Sequence, residues 1–282
     1  MPGAKQQPII TLTTDFGTDD VFIGVMKGVI LGINPAVRIV DLTHAVPPQS
    51  VEIGALLLRL AVPYFPDGTI HVAVVDPGVG TARRAIAVET ASGVLIGPDT
   101  GLLAPAAEQV GIKRLTECTN RSYWLPRVGS TFHGRDIYAP VAAHLSLGVA
   151  PDRLGQAGAS LTPLALPVAQ HEQDGERVRV RGKVIWVDHF GNLLTNVTAK
   201  DIEVFPSQEL SVSIGDVVID GLVSAYAAVP GGKLLVLVNS WGLLEIARRN
   251  GSAGKHVGVG SGASVVVTVW PTAKSDAPMA SA

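Results

Sequence analysis

The sequence is poor in cysteine, in charge of either sign and in long apolar runs, and each shortage excludes a class of protein. The single cysteine, Cys118, excludes an intrachain disulfide framework and zinc sites built from thiolates. Lysine and arginine number 22 against 24 for aspartate and glutamate, so the net charge of −2 provides no basic surface for nucleic acid or an anionic membrane. The best apolar run, residues 21–33, carries Lys27 and is too short to span a bilayer.

Apolar residues are abundant, by contrast. Hydrophobic residues make up 47% of the 282 residues, mean hydropathy is +0.34, and charged residues make up 16%. We expect part of so apolar a surface to be buried between subunits. The polar start of the chain shows no signal peptide, which favours a cytoplasmic protein. The length suits one large domain or two smaller ones.

Strand-like and helix-like segments alternate over residues 1–165. Runs rich in β-branched residues predict strands at 9–14, 37–42, 69–75, 85–89 and 94–96. Helices are predicted at 21–33, 50–60, 102–110 and 136–147. This alternation indicates an N-terminal α/β domain with a doubly wound, mostly parallel sheet.

The pattern changes in the second half of the chain. Prolines and a polar run predict a linker over residues 166–175. The apolar period then becomes two, with strands predicted at 177–181, 184–187, 210–214, 217–219, 234–238 and 263–270 and one short helix at 243–250. These segments favour a small antiparallel β-barrel over 176–271, and residues 272–282 are expected to be a disordered tail.

Asp76 follows the most apolar of these strands and opens the sequence Asp-Pro-Gly-Val-Gly-Thr-Ala-Arg-Arg. Proline ends the strand ladder there, and Gly78 and Gly80 permit a tight loop. Ligands of open α/β sheets bind beyond the carboxyl ends of the strands. A carboxylate there, followed by Arg83 and Arg84, is therefore placed for chemistry, and a simple turn cap is the alternative.

Asp15 also follows a predicted strand, so we expect the two carboxylates to edge one crevice. An acid at this point can accept both hydroxyls of a ribose, and the alternative is again a turn cap. Asp19 and Asp20 precede the first helix and are expected to cap it. The run Thr131-Phe-His-Gly-Arg-Asp136 places His133 on a loop before a helix, which suits proton transfer or simple packing equally.

The second half carries the polar turn Asp188-His-Phe-Gly-Asn192 after a predicted strand. Phe190 there is suited to stack on a base and Asn192 to read its edge, against the alternative of ordinary turn residues. Metal binding by Asp188 and His189 is disfavoured, because no matching pair of ligands stands nearby.

Ser240 and Glu245 follow another predicted strand. They suit a zwitterionic amino-acid group, with the hydroxyl on its carboxylate and the acid on its ammonium. The alternative makes Ser240 a helix N-cap and Glu245 a solvated residue of a helix face.

Five motifs in this order resemble one family, the S-adenosylmethionine hydroxide adenosyltransferases, which are adenosine-forming S-adenosylmethionine hydrolases related to fluorinating and chlorinating enzymes. The motifs are Asp15-Phe-Gly-Thr-Asp-Asp20, Val75-Asp-Pro-Gly-Val-Gly-Thr81 with Arg83, Thr131-Phe-His-Gly-Arg-Asp136, Asp188-His-Phe-Gly-Asn192 and Asn239-Ser240. The resemblance covers the chain to about residue 269. It implies an α/β domain, a C-terminal β-barrel and a homotrimer whose sites lie between one subunit's N-terminal domain and its neighbour's C-terminal domain.

The resemblance also implies attack of water or hydroxide on ribose C5′ of S-adenosylmethionine, releasing adenosine and methionine without a metal or cofactor. By similarity, Asp76, Arg83 and His133 position and activate the water. Arg84 stays open as the cation, and either Asp76 or His133 takes the proton. The implied substrate-binding residues are Asp15 for the ribose, Phe190 and Asn192 with the region of Arg248 for the adenine, and Asp188, Ser240 and Glu245 for the methionine end. Asp19 is also counted as substrate-binding, without a particular part of the substrate assigned to it.

The halogenating relatives differ at the same positions. They carry a tyrosine where this chain has Asp76, and a Tyr-Ser pair where it has His133 and Gly134. A carboxylate in that pocket repels a halide, which disfavours halogenation. Two more functions fit the same motifs. One is a metal-dependent hydrolase that uses Asp15, Asp76, His133 and Asp188, and the other is a non-catalytic module that binds adenosine or S-adenosylmethionine.

Overall fold

A computed structural model of the chain describes residues 7–174, 177–203 and 210–269. The chain divides into two compact units between Leu166 and Pro167. The predicted disordered tail at 272–282 and the end of the last predicted strand, Trp270, lie outside the described residues. Within the described ranges, every helix is too short or too polar to cross a membrane.

The first unit is a mixed sheet with helices between its strands. Its strands are β1 (Ile9–Thr14), β2 (Arg38–Thr43), β3 (Thr69–Val74), β4 (Ala85–Thr90), β5 (Gly93–Pro98), β6 (Ile112–Glu117) and β7 (Gln156–Ala157), and its helices are α1 (Phe22–Ile33), α2 (Val51–Ala61), α3 (Ala104–Val110) and α4 (Ala139–Ser146). The strand order is β2-β1-β3-β5-β4-β6-β7. β2, β1, β3 and β5 pair in parallel, and only β4 and β7 run against them. The mostly parallel sheet is confirmed.

Apolar clusters lie on both faces of this sheet. Leu12 and Val72 belong to a cluster with α1 and α4, whereas the next residue, Ala73, belongs to a cluster with α2 and α3. Successive side chains of a strand point to opposite faces, so a strand covered on both sides is apolar throughout. β3 accordingly has all six residues buried. The doubly wound arrangement is therefore confirmed, and it holds the carboxyl ends of β1 and β3 side by side.

The second unit is an antiparallel, barrel-like sheet, as predicted. Its strands are β8 (Gln170–Asp174), β9 (Arg177–Val187), β10 (Leu193–Thr198), β11 (Leu210–Ile214), β12 (Val217–Asp220), β13 (Leu234–Val238), β14 (Leu243–Arg248) and β15 (Ser264–Val269), with the short helices α5 (Ala199–Ile202) and α6 (Ala253–Val257). The order is β12-β11-β15-β9-β10-β14-β13, with β8 on β9. The strands surround one apolar cluster, and the two strands predicted at 177–181 and 184–187 are one long strand.

The helix predicted at 243–250 is wrong, because Leu243–Arg248 form β14 and the next two residues form a turn. The run Leu-Leu-Glu-Ile-Ala-Arg consists of good helix formers, yet β14 pairs with β10 on one side and β13 on the other. Its four central residues are buried. Tertiary pairing of this kind overrides local helix propensity.

Two further local predictions need correction. Asp19 and Asp20 do not cap α1, whose N-cap residue is Val21 and makes no side-chain cap bond. Residues 170–174, predicted as part of a linker, form β8 and pair with β9. The strand was missed because it is a polar edge strand, held by backbone hydrogen bonds and lacking an apolar face.

His71 makes the stability of the first unit depend on pH. The imidazole is buried within β3, where its Nδ1 lies 2.8 Å from Thr11 Oγ1, and burial lowers its pKa from 6.5 to about 4. The unfolded chain therefore takes up a proton as the pH falls below 6.5, whereas the folded chain does so only near pH 4. We expect the free energy of unfolding to have its maximum contribution from His71 above pH 6.5 and to fall by up to about 3 kcal/mol as the pH drops to 4.

Urea unfolding at pH 7 and at pH 4.5 measures this loss. The variant His71→Gln cannot titrate at this position and is expected to lose less stability between the two pH values than the wild type. The same loss in both proteins would contradict the assignment to His71.

Candidate functional site

Two predicted site residues follow adjacent strands of the first unit. β1 and β3 are parallel neighbours, and Thr14 at the end of β1 pairs with Val74 at the end of β3. Asp15 follows directly, and Asp76 lies two residues beyond Val74. Both carboxylates therefore stand at the same edge of the sheet. The Asp15 carboxylate accepts the N–H of Gln49 at 2.7 Å, on a loop 34 residues further along the chain.

Asp76, Arg83 and His133 form one hydrogen-bonded cluster. Arg83 Nε donates to Asp76 Oδ1 at 2.6 Å, and Arg83 Nη2 donates to Asp76 Oδ2. The same Nη2 lies 2.8 Å from His133 Nδ1. The Asp76 and Arg83 side chains are 4% and 11% exposed. A planar guanidinium that grips a carboxylate with two donors fixes both groups, and here it also fixes the imidazole.

The loop from Asp76 to Arg83 is tight enough to bring its two ends together. The N–H of Val79 binds the Asp76 carbonyl at 3.2 Å. Gly80 has φ +80°, and a Cβ there would overlap the Ser130 carbonyl oxygen on the loop that precedes His133. Glycine is therefore required both by the backbone conformation and by the close approach of the two loops.

The contacts define the charge and tautomer of His133. A guanidinium can only donate, so Nδ1 is the acceptor and the proton of the neutral ring is on Nε2. Burial, followed by the charge of Arg83, lowers the pKa of His133 below 6.5. The imidazole is therefore neutral at pH 7. The cluster combines a carboxylate, a permanent cation and a neutral imidazole.

Arg84, the alternative cation, is bound elsewhere. Its Nε donates to Asp99 Oδ2 at 2.9 Å and its Nη1 to Glu117 Oε1 at 3.0 Å. A further N–H donates to the Ser160 carbonyl. Of these two neighbouring arginines, Arg83 is the one that contacts Asp76 and His133.

Aromatic side chains pack beside the His133 loop. The Phe132 ring centroid lies 5.9 Å from that of Phe16 and 5.2 Å from that of Phe22. Gly134 is enclosed by the same side chains, because a Cβ there would lie 3.1 Å from Met26 Sδ and 3.2 Å from the Phe132 ring. Asp19, also predicted as a site residue, lies exposed in the turn before α1.

The second unit brings its predicted site residues together around one cavity of about 840 Å³. The residues predicted from sequence that line it are Asp188, Phe190, Asn192, Ser240, Glu245 and Arg248. Sequence reasoning missed Tyr226 and Trp241, which also line it. Trp241 directly follows Ser240, so the motif around Ser240 could have identified it. Tyr226 begins a short 3-10 helix, Tyr226–Ala228, whose sequence shows no recognisable motif.

Asp188 shapes the turn that presents Phe190. Its Oδ1 accepts the N–H groups of Phe190 at 2.9 Å and Asn192 at 2.8 Å, and its Oδ2 accepts the Asn192 amide at 3.0 Å. Phe190 is left 74% exposed at the cavity. In the described part of the chain, no group of three or more His, Cys, Asp or Glu side chains forms a candidate metal site. This holds for Asp188 and His189 as well.

Glu245 is 3% exposed, so its interpretation as a solvated residue of a helix face is wrong. Ser240 is not the N-cap of that helix either, because the residues that follow form strand β14. Tyr226 donates its hydroxyl to Glu245 Oε1 at 2.6 Å, and the Asn239 amide donates to Oε2 at 3.1 Å. Burial and the Glu245 carboxylate raise the pKa of Tyr226. The cavity therefore has a buried, hydrogen-bonded carboxylate in its wall and aromatic rings at its mouth.

Known proteins match this chain over both units. The model for the SAM hydroxide adenosyltransferase N-terminal domain matches residues 10–155, and the model for the C-terminal domain matches residues 182–266. A protein from Salinispora tropica named (R)-S-adenosyl-L-methionine hydrolase is 43% identical over 93% of this chain and 98% of its own length. A protein of the same name from Methanocaldococcus jannaschii is 35% identical over 89% of this chain and 92% of its own.

Solved structures and more distant relatives complete the comparison. The crystal structure of a conserved protein from Thermotoga maritima has a TM-score of 0.84 and 35% identity, covering 92% of this chain and 99% of that one. A fluorinase from Actinoplanes sp. is less similar, with 29% identity over 94% of this chain and 99% of its own. The family models cover most of the chain, and the hydrolases are the more similar relatives. The chain belongs to the SAM hydroxide adenosyltransferase family.

Proposed function

We propose that this protein hydrolyses S-adenosyl-L-methionine to adenosine and L-methionine. The main observation in support is the hydrogen-bonded contact of Asp76, Arg83 and His133 at the carboxyl edge of the sheet. The relatives that bear the hydrolase name cover nearly the whole chain, which supports the same reaction here. Fluorinases are more distant, so they support the halogenating alternative less.

The residues of the first unit align and activate the water, which is a weak nucleophile by itself. The substrate's sulfonium already leaves as neutral methionine, so the reaction needs alignment of a water behind C5′ and removal of its proton. Alignment supplies up to about 7–11 kcal/mol in the best intramolecular models, and a base adds about 10²–10⁴-fold. O–C5′ bond formation breaks the C5′–S bond and leaves its electron pair on sulfur.

Asp76 is the better placed acceptor for that water. A carboxylate has about four lone-pair positions, and Arg83 takes one on each oxygen. His133 has a single lone pair, on Nδ1, and Arg83 occupies it. We therefore assign the water to Asp76, with Arg83 paired to the carboxylate and His133 held neutral beside it.

The substrate-binding roles follow the cavity of the second unit. Its volume of about 840 Å³ lies within the range of small-molecule sites. We assign the adenine to Phe190 and Asn192 with the region of Arg248, and the methionine ammonium to Glu245 and Asp188. Ser240 takes the methionine carboxylate, and Asp15 in the first unit takes the ribose diol.

Assembly, location and cofactor use are further parts of the proposal. We assign a homotrimer with sites at subunit interfaces, supported by the apolar composition and the exposed Phe190 and Trp241. Light scattering of the purified protein measures the subunit number. Mixing an Asp76→Asn subunit with a Phe190→Ala subunit should restore activity if two chains share a site. We also assign a cytoplasmic location and a reaction that needs no metal or cofactor, so a chelator should leave turnover intact.

The deciding experiment is incubation of the purified protein with S-adenosylmethionine and chromatography of the products. We expect adenosine and methionine in equal amounts, with chloride or fluoride giving no 5′-halo-5′-deoxyadenosine. Because the relatives' names specify the (R) form, both sulfonium epimers should be supplied separately. Tight binding without conversion would support a sensing module, and loss of activity with a chelator would support a metal-dependent hydrolase.

Gly134→Ser tests whether this pocket accepts the serine of the halogenating relatives. The new Cβ would press against Met26 and Phe132, and overpacking of this kind costs about 1–3 kcal/mol. We therefore expect a lower melting temperature and no halogenated product with fluoride. The matched control is Gly28→Ser on α1, where a Cβ meets nothing within 4 Å. Equal stability of the two variants would contradict the packing argument.

A further inference from the structure

Glu245 is a buried carboxylate in the wall of the cavity of the second unit. It is 3% exposed. Its strand, β14, pairs with β10 on one side and with β13 on the other, so the backbone that carries it is held in place. Burying an ionised carboxylate is unfavourable unless its oxygens are bound. The groups that bind Glu245 therefore show what this part of the cavity still needs.

Two neutral donors orient the Glu245 carboxylate. The Tyr226 hydroxyl donates to Oε1 at 2.6 Å, and the Asn239 amide donates to Oε2 at 3.1 Å. The Asn239 amide has to face Glu245 with its nitrogen, because its oxygen accepts the N–H groups of Trp241 at 3.0 Å and Leu243 at 3.2 Å. Each carboxylate oxygen is thus held by one donor and keeps a second lone pair for a ligand.

The arginines of the cavity wall are bound to backbone carbonyls instead of to this carboxylate. Arg248 Nε donates to the Gly232 carbonyl at 2.9 Å, and Arg249 Nη1 donates to the Ala227 carbonyl at 3.1 Å. Ala227 directly follows Tyr226, so Arg249 also holds the segment that carries the phenol. In the described part of the chain Glu245 forms no ion pair, and a positive charge beside it has to come from the ligand.

A primary ammonium group meets this requirement. It has three N–H donors and no acceptor. Glu245 keeps one lone pair on each oxygen, and Asp188, which lines the same cavity, keeps one on Oδ2 because its other positions accept Phe190 and Asn192. The two carboxylates together offer as many acceptor positions as one ammonium can fill. A ligand without an amine would leave Glu245 without a cation.

We propose that Tyr226 is a positioning residue that holds the Glu245 carboxylate for the α-ammonium group of the substrate, and so makes the site selective for a primary amine. Tyr226 is 46% exposed, so its ring reaches from the surface to a carboxylate that is almost completely buried. The inference rests on the proposed function for the identity of the substrate, whereas the preference for an amine can be measured by binding alone.

The variant Tyr226→Phe tests the proposal, since it keeps the ring and removes the hydroxyl donor. A hydrogen bond to a charged group contributes about 10-fold or more in affinity, so KM for S-adenosylmethionine should rise by about 10-fold. We expect kcat to change little, because the reacting atoms contact other residues. The decisive readout is the ratio of kcat/KM for S-adenosylmethionine to kcat/KM for its desamino analogue, which should fall by about 10-fold.

This ratio separates positioning from a purely structural role of Tyr226. A lower folded fraction would reduce both rates equally and leave the ratio at its wild-type value, and that result would overturn the proposal. The matched control is Tyr64→Phe, which removes the hydroxyl of a tyrosine that is 72% exposed in the first unit and should keep the wild-type ratio.

A double variant tests whether Tyr226 acts through Glu245. Glu245→Gln removes the charge and should itself abolish most of the preference for the amine. Adding Tyr226→Phe to Glu245→Gln should then lower the ratio no further, because the carboxylate on which the hydroxyl acts is already gone. A second, equal loss in the double variant would show that Tyr226 acts without Glu245, and the proposal would fail.

Binding of S-adenosyl-L-homocysteine distinguishes failure of this inference from failure of the proposed function. This thioether keeps the amino group but lacks the sulfonium leaving group, so it is not consumed during calorimetry. If the wild type converts no S-adenosylmethionine, yet prefers the thioether to its desamino analogue and loses that preference with Tyr226→Phe, positioning is supported and the proposed function fails. If S-adenosylmethionine is hydrolysed and Tyr226→Phe keeps the preference, the proposed function stands and the positioning role is overturned.

Discussion

Replacing Asp76 by asparagine is expected to lower kcat for S-adenosylmethionine hydrolysis by about 10²–10⁴-fold, the range lost when a positioned base is removed. The amide has the shape of the carboxylate but no charge, so it can neither take the proton of the water nor pair fully with Arg83. KM should change little, because the assigned adenine and methionine contacts are made by other residues. Steady-state kinetics, with substrate affinity measured by calorimetry, separates the two effects.

Asp99→Asn is the matched control for this variant. Asp99 is also 4% exposed and also paired with an arginine, Arg84, but it stands outside the cluster of Asp76 and His133. It should cost stability while leaving kcat per folded molecule near the wild-type value. Equal losses of kcat in the two variants would show that any broken arginine pair damages the enzyme, and the assignment of Asp76 would fail.

The part of the site on the first unit could be predicted because its geometry follows from strand pairing. β1 and β3 are predicted as buried strands from their β-branched residues, and an acidic residue follows the end of each within two residues. Parallel neighbours bring their carboxyl ends to one edge, so the placement of Asp15 and Asp76 followed without side-chain detail. That the two strands are neighbours was an expectation, and in the structure β1 and β3 pair directly.

The choice between Arg83 and Arg84 could not be predicted in this way. Both carry the same group, and the choice depends on partners distant in sequence, with Glu117 lying 33 residues from Arg84 and His133 lying 50 from Arg83. The sequence likewise gives no sign that Glu245 is buried. Its burial depends on β14 pairing on both sides, which local propensity opposes.

Two polar strands, β8 at an edge and β6 between β4 and β7, were missed for a related reason. β8 carries Gln, His, Glu, Gln and Asp, so it shows no alternation of apolar residues. The first three residues of β6 are exposed, which leaves too short an apolar pattern to detect. Backbone pairing holds both strands in place, and backbone pairing leaves no mark on composition.

Arg83→Gln is expected to be the most damaging substitution in the cluster for both activity and stability. It removes the donor to Asp76 and to His133 at once and leaves a carboxylate that is 4% exposed without its cation. Breaking a buried pair from one side costs about 3–5 kcal/mol of unfolding free energy. We expect kcat to fall by at least about 10²-fold, since both partners lose their alignment.

The neighbouring variant Arg84→Gln separates alignment from stability. Arg84 binds Asp99 and Glu117 instead of Asp76 and His133, so its loss should lower the melting temperature and spare kcat per folded molecule. Activity lost with Arg84→Gln and kept with Arg83→Gln would reverse the assignment of the cation.

The pH dependence gives Arg83→Gln a signature that misfolding cannot imitate. The charge of Arg83 lowers the pKa of His133, so its removal should raise that pKa and move the acidic limb of residual kcat to higher pH. Asp136 acts on His133 with the opposite sign, and Asp136→Asn should move the same limb to lower pH. Opposite shifts of this limb are expected when both charges act on one titrating group of the cluster, whereas a general loss of structure would move the limb in the same direction in both variants.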